Sequence, residues 1–145
     1  GLSYKFTPKL RVEPTFTYYF NEDADIGGIA TSSKDLEDRI ANGYDVGVAV
    51  EYAFTETLKA SVGILWTETG VDANDMLPEA PELDAFSMCT GLAWKAKPNL
   101  DVNVGIGRVF YHSETTDGAT TTAYKNVEYS KNVVQMAFGV QYKFF

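Results

Sequence analysis

Apolar and polar residues alternate strictly over long stretches of this sequence. Between residues 44 and 54, every even position carries a large apolar or aromatic side chain, and every odd position carries a small or charged one. A period of two residues is the spacing of a β-strand, whose successive side chains point to opposite faces of a sheet. The same alternation recurs around residues 10–20, 58–67, 86–95, 100–110 and 134–144. The chain is therefore predicted to be all-β.

The two predicted faces have unusual compositions. Even positions supply valine, isoleucine and leucine, with aromatic residues such as Tyr52, Trp66 and Trp94 near the strand ends. Odd positions supply glycine, alanine, serine and scattered charge, which would make a poor hydrophobic core. Several strands reach 11 residues or more, and about 9–11 residues suffice to cross a bilayer. This inverted alternation favours an antiparallel transmembrane β-barrel over a soluble β-sandwich, which is the alternative.

Composition and charge exclude several other classes of protein. The length of 145 residues is typical of a single domain. With 20 acidic against 12 basic residues and a net charge of −8, the chain lacks the basic balance that a nucleic-acid partner requires. The only cysteine is Cys89 and the only histidine is His112, so sites that need several of either are excluded. We expect no cofactor.

Turns and loops alternate between two lengths along the chain. Seven strands are predicted: Gly1–Phe6, Leu10–Phe20, Gly43–Phe54, Leu58–Thr69, Asp84–Ala96, Leu100–His112 and Val127–Phe145. The long connections 21–42, 70–83 and 113–126 hold 12 of the 20 acidic residues and only 3 of the 12 basic residues. Tight turns at one end and long loops at the other are typical of outer-membrane barrels, so the long loops are predicted to be extracellular. Ser32–Ala41 is predicted to form a short helix in the first of them.

A short pattern repeats along the chain and marks the strand pairs. It comprises Gly1–Phe6, Ala49–Phe54, Gly91–Ala96 and Gly139–Phe144. Seven strands are an odd number, whereas bacterial single-chain barrels have even numbers. We therefore expect residues 1–145 to be the C-terminal half of one barrel domain, with the N-terminal half on the same or a separate chain.

Three stretches resemble a known family. They are Tyr44–Val71, the proline-containing segment Leu77–Asp84, and Phe86–Tyr111; the terminal Gly139–Phe144 is similar to the family's closing strand and barrel-assembly signal. The chain resembles the FadL/toluene-X family of outer-membrane transporters for long-chain fatty acids and aromatic hydrocarbons. The resemblance implies a bacterial outer-membrane location and a barrel of fourteen strands, of which seven are present here.

The resemblance also implies what the protein would contact. A hydrophobic small molecule would cross the lipopolysaccharide layer, enter the barrel and leave sideways into the bilayer. The further partners implied are outer-membrane lipid, the barrel-assembly machinery and the N-terminal half of the barrel.

Odd positions identify the residues expected to line the lumen. The predicted lining set is Gly47, Ala49, Glu51, Gly63, Cys89, Gly91, Gly105 and Gly107. Small side chains there either leave room for a plug or a ligand, or permit strong curvature of the wall. Lumen-facing charges at one end are predicted to pair with one another or to anchor a plug: Arg11, Glu13, Glu51, Lys59, Lys95, Asp101 and Lys143. Arg108 stands at an even position, on the face predicted to contact lipid. Its side chain is expected either to extend toward lipopolysaccharide phosphate or to be turned inward by a β-bulge.

Other functions remain as alternatives. A general diffusion porin or a small structural barrel would share the same strand pattern. An outer-membrane lipid hydrolase would need His112, Ser113 and a nearby acid, but neighbours in a strand point to opposite faces, so we expect no enzyme. Acidic segments at Asn21–Asp25 and Asp72–Asp75 could bind Ca²⁺ or be solvated loops. Gly105–Gly107 lacks the strand–loop–helix setting of a phosphate-binding loop.

Overall fold

The computed structural model describes residues 1–23, 40–76, 81–116 and 126–144. The described chain is all-β, apart from a single 3-10 turn at Asn21–Asp23. Its strands are β1 (Tyr4–Lys5), β2 (Leu10–Tyr19), β3 (Gly43–Ala53), β4 (Leu58–Glu68), β5 (Ala85–Lys97), β6 (Leu100–Tyr111), β7 (Glu114–Thr115), β8 (Glu128–Tyr129) and β9 (Asn132–Tyr142). Within this part of the chain, no helix has the length and hydrophobicity that crossing a membrane requires.

Seven of these strands form one antiparallel sheet in the order β1-β2-β3-β4-β5-β6-β9. From β1 to β6 each strand pairs with the next in sequence, and β6 then pairs with β9, because β7 and β8 form a separate two-stranded sheet. Residues 6–9, 54–57 and 98–99 make tight turns at one end of the sheet, which we call the tight-turn end. Residues 20–42, 69–84 and 112–131 connect strands at the opposite, long-loop end. The predicted antiparallel sheet of seven strands is confirmed.

Two of the predicted strands have different bounds in the structure. The first strand is only Tyr4–Lys5, although Leu2 still donates its backbone N–H to the carbonyl of Pro14 at 3.0 Å. The last predicted strand is interrupted, because Glu128–Tyr129 pairs with β7 and the chain joins the main sheet only at Asn132. The helix predicted over residues 32–41 lies mostly outside the described residues.

The register places alternate residues of all seven strands on two consistent faces. One row across the sheet joins Val12, Val50, Val62, Thr90, Ile106 and Met136. The next row, on the opposite face, joins Glu13, Ala49, Gly63, Cys89, Gly107 and Gln135. We call the face of even-numbered residues the apolar face and the face of odd-numbered residues the small-residue face. The only register shift in these strands lies between Lys95 and Lys97, at the tight-turn end.

Among the described residues, no hydrophobic core covers either face of the main sheet. On the apolar face, Ile64 is 44% exposed, Phe138 73% and Met136 80%. The buried cluster among the described residues consists of Met76, Leu83 and Tyr129, with Val71, Tyr111 and Val127 packed around it. These residues belong to the long-loop end. The buried apolar cluster of the described chain therefore lies between two of the long connections. The large apolar side chains of the sheet itself remain uncovered.

Candidate functional site

The predicted lining residues all lie on the small-residue face, in three neighbouring rows of the sheet. Ala49, Gly63, Cys89 and Gly107 share one row, and Glu51, Gly91 and Gly105 share the next row toward the tight-turn end. Gly47 lies one row toward the long-loop end. The register therefore brings the eight residues, which are spread over some sixty positions of sequence, onto one continuous surface.

The glycines of this surface serve two purposes that differ by position. A Cβ atom at Gly47 would lie 2.8 Å from the carbonyl oxygen of Ile64 and 2.8 Å from Cδ1 of Leu65, so this position needs glycine for close approach. A Cβ atom at Gly105 would meet nothing nearer than 3.6 Å. The small-residue face is therefore crowded at residue 47 and open at residue 105.

Two depressions lie along the row that contains Cys89 and the row that contains Glu51. The first has a volume of about 540 Å³ and includes Ala49, Gly63, Cys89 and Gly107 in its lining. The second has a volume of about 390 Å³ and includes Glu51, Gly91 and Gly105. The predicted lining set omitted other members of these linings, among them Ser61, Ser87, Asn103 and Gln135. Their odd parity within the strands was the signal that could have identified them.

Charged residues of the small-residue face pair with one another toward the tight-turn end. Arg11 contacts Glu13 at 3.1 Å and Glu51 at 3.4 Å, and Nζ of Lys59 lies 3.4 Å from Oε1 of Glu51. Asp101 pairs with Lys143 in the same way at 3.9 Å. The prediction that these charges pair with one another is confirmed for these six residues. The surface is consequently polar at this end, with its charges largely balanced.

The long-loop end is held together by hydrogen bonds to carboxylates. Asp84 accepts the backbone N–H of Thr69 at 2.8 Å and its hydroxyl at 3.1 Å, which joins the end of β4 to the start of β5. On the neighbouring strands, the hydroxyl of Tyr19 donates to Asp45 at 2.7 Å. Sequence reasoning missed the role of Asp84, because its partner is fifteen residues away across a loop.

Arg108 lies on the apolar face, in register with Met88 and Val134. Pairing is continuous on both sides of it, so the expected alternative of an inward-turning β-bulge is wrong. Its guanidinium carbon lies 4.6 Å from the centre of the Phe110 ring, and its Nε donates to Oδ1 of Asn132 at 3.4 Å.

The residues considered for chemistry lie in three places in the described chain. Nε2 of His112 lies 3.8 Å from Oε1 of Glu114, and both side chains are solvent-exposed or half-buried. Gly105 and Gly107 lie in the interior of β6, which excludes a phosphate-binding loop there. Cys89 is a free, exposed thiol on the small-residue face.

Neither acidic segment provides a metal site within the described residues. Asp72 instead accepts hydrogen bonds from the backbone N–H and side-chain amide of Asn74, both at 2.9 Å, and so stabilises a local turn. No group of three or more His, Cys, Asp or Glu side chains in the described ranges could hold a metal ion. Residues 24 and 25 of the first segment lie outside those ranges.

A scan of the chain against protein-family models finds no match, and a search of the curated proteins finds none either.

Proposed function

We propose that this chain forms part of the wall of a bacterial outer-membrane β-barrel that transports hydrophobic compounds, such as long-chain fatty acids or aromatic hydrocarbons. In this proposal the apolar face contacts lipid and the small-residue face lines the passage. The remaining wall comes from other strands, on the same chain or another, and the barrel-assembly machinery inserts the whole.

The exposed apolar face is the observation that carries the proposal. Large apolar side chains cover the same face of β2 to β6 and β9, including Val62, Ile106 and Met136 in one row across the sheet. Isolated exposed apolar residues are common, but a contiguous patch larger than a few hundred Å² is rare in a soluble monomer. Hydrocarbon is the surrounding in which such a face is stable, because it removes the apolar surface from water.

Strand length and the position of aromatic residues support the same assignment. The strands from β2 to β6 and β9 have 10 to 13 residues, which matches the length needed to cross a bilayer. Phe86 and Phe110 stack with ring centres 6.5 Å apart, next to Trp66 in the same row near the long-loop end. Aromatic rings at that level are typical of the interface between hydrocarbon and headgroups.

The small-residue face favours an apolar ligand over bulk water as the occupant of its central rows. Cys89, Gly91 and Gly105 leave apolar surface there, beside uncharged polar side chains such as Ser61 and Gln135. Glu51 shares a row with Gly91 and Gly105, and its carboxylate is paired with Arg11 and Lys59. An uncharged chain or ring could therefore occupy the centre without removing unpaired charges from water. The resemblance to FadL/toluene-X transporters is the reason for choosing fatty acids and hydrocarbons as ligands to test.

Chemical blocking of Cys89 tests the proposal directly. Cells that lack the gene and carry the full-length protein would be treated with a bulky, water-soluble maleimide, and uptake of radiolabelled oleate and toluene would be measured before and after treatment. Since Cys89 is exposed on the proposed passage, we expect the treated cells to fall to the uptake of the deletion strain.

A matched control places the thiol on the other face. In a Cys89→Ser background, Met88→Cys moves this thiol by one residue, onto the apolar face. The same treatment should leave the ratio of uptake after and before labelling near one. Uptake that is insensitive to modification of Cys89, or a wide water-filled pore that conducts ions in planar bilayers, would contradict transport of hydrophobic compounds and favour a general porin.

A further inference from the structure

Arg108 interrupts the interior of the apolar face, whereas Glu68 lies on the same face at the end of β4, two rows nearer the long-loop end. Its row across the sheet otherwise contains Pro14, Val48, Ile64, Met88 and Val134. A charged side chain at such a position is costly when it faces hydrocarbon, and arginine reduces that cost by extending its guanidinium toward the interface.

The side chain of Arg108 adopts this extended arrangement. Both groups that it contacts, the Phe110 ring at 4.6 Å and Oδ1 of Asn132 at 3.4 Å, lie in the next row of the apolar face toward the long-loop end. The guanidinium therefore reaches the level of the stacked Phe86 and Phe110 rings. Lys131, the neighbouring cation, instead lies 4.9 Å from the ring centre of Tyr111, a residue of the small-residue face.

The charge of Arg108 is not balanced by the part of the chain that the structure describes. The ion pairs found there join residues of the small-residue face or the long-loop end, and none includes Arg108. Its bond to Asn132 uses Nε, so the two terminal nitrogens of the guanidinium retain donors, as does the amide nitrogen of Asn132. Donors of this kind, next to an aromatic ring and an apolar surface, complement an anionic headgroup attached to acyl chains.

We propose that Arg108 and Asn132 bind the phosphate of a lipid headgroup, with the acyl chains of that lipid lying on the apolar face beside Ile106 and Val134. Phosphate is favoured over carboxylate because it is the anion that bilayer lipids carry at the level of the interfacial aromatic rings. This inference rests on the membrane location in the proposed function, but it is independent of transport.

Two lipids that differ only in the phosphate provide the test. The purified full-length protein in detergent micelles would be offered dioleoyl phosphatidic acid and dioleoylglycerol in competition, and retained lipid would be counted by native mass spectrometry. We expect a preference for phosphatidic acid that falls about fivefold in Arg108→Gln, the effect of one basic residue at a membrane surface. Lys97→Gln makes the same charge change at the tight-turn end and should leave the preference unchanged.

A second variant keeps the arginine in place. Asn132→Asp offers Arg108 a carboxylate within the protein, so the preference for phosphatidic acid should fall while the protein stays folded. Equal retention of both lipids by the parent protein, or an unchanged preference in Arg108→Gln, would overturn the proposal. Oleate competing as well as phosphatidic acid would also overturn it, in favour of a carboxylate site.

The two proposals fail in distinguishable ways. Protein that floats with lipid vesicles in a density gradient but shows no Arg108-dependent phosphate preference would contradict only the lipid site. Protein that associates with neither micelles nor vesicles would contradict the membrane location, and the lipid site with it.

Discussion

The apolar face and the small-residue face are built from alternate residues of the same strands, and they meet their surroundings in opposite ways. Phe138 and Met136 stand 73% and 80% exposed on one face, whereas Gly63 on the other is buried beneath its neighbours. On the small-residue face, Arg11, Glu51 and Lys59 satisfy their charges among themselves. In a water-soluble sheet we would expect the larger side chains to be covered and the charges to lie outside.

This difference indicates where the stability of the sheet comes from. Burial of apolar surface is the main favourable term in folding, and the main sheet buries very little of it within the described chain. Backbone pairing along six antiparallel ladders fixes the geometry of the strands. The hydrophobic contribution depends on what covers the apolar face, and for the proposed barrel that is lipid.

The largest effect is expected from a charge placed on the apolar face. Ile106→Lys in the middle row should lower the free energy of unfolding in lipid vesicles by about 2–4 kcal/mol, because the ammonium group faces hydrocarbon. Asn103→Lys, on the small-residue face of the same strand, should change it by no more than about 0.5 kcal/mol. Urea titration followed by tryptophan fluorescence measures both. Equal costs for the two variants would mean that the faces have similar surroundings.

An intermediate effect is expected from crowding the small-residue face. Gly47→Ala would bring a Cβ atom within 2.8 Å of a backbone oxygen, and we expect a loss of about 1–3 kcal/mol from overpacking. Gly105→Ala, whose added atom meets nothing nearer than 3.6 Å, is the matched control and should be neutral or stabilising by up to about 1 kcal/mol. A similar loss at both positions would show that close approach is not the reason for glycine at residue 47.

The smallest effect is expected from the ion pairs of the small-residue face. Glu51→Gln removes the carboxylate that pairs with Lys59 and one of the two that pair with Arg11, and it should cost about 0.5–1 kcal/mol at low salt. The cost should be smaller at high salt because exposed ion pairs are screened. Glu56→Gln, exposed in the turn 54–57, is the control. A cost for Glu51→Gln that does not depend on salt would indicate that the pairs are shielded from water.

Much of the sheet could be predicted from the sequence, because the turn lengths and the alternation of side chains place the same residues on the same face. The tight turn 54–57 keeps even residues of β3 opposite even residues of β4, as in the pair Val48 and Ile64, so an alternation read strand by strand describes the whole sheet. The small sheet of β7 and β8 was not predicted. Two-residue strands carry no periodic signal, and this pair forms beside the packing of Tyr129 on Met76 and Leu83.

The face on which each residue of the candidate site lies could be predicted from the sequence. The contacts between these residues were harder to predict. Parity alone placed Cys89 and Gly107 on one surface, and the register then showed that they are direct neighbours. The choice of partner for Glu51 depends on the pairing of three strands, which a single sequence does not specify. Arg108 lies on the face that its even position predicts. Its contact with Asn132 could not be predicted, because Asn132 begins a strand that follows a long loop.

The alternation of tight turns and long loops has a consequence for how this chain tolerates insertions. Doubling the length of a loop costs only about 0.6 kcal/mol of closure entropy, so insertions away from the buried Met76, Leu83 and Tyr129 of the long-loop end should cost little stability. One extra residue in the turn 54–57 would instead slip the register of β4 and exchange its two sets of side chains. We therefore expect sequence to diversify at the long-loop end, while the tight turns keep a constant length.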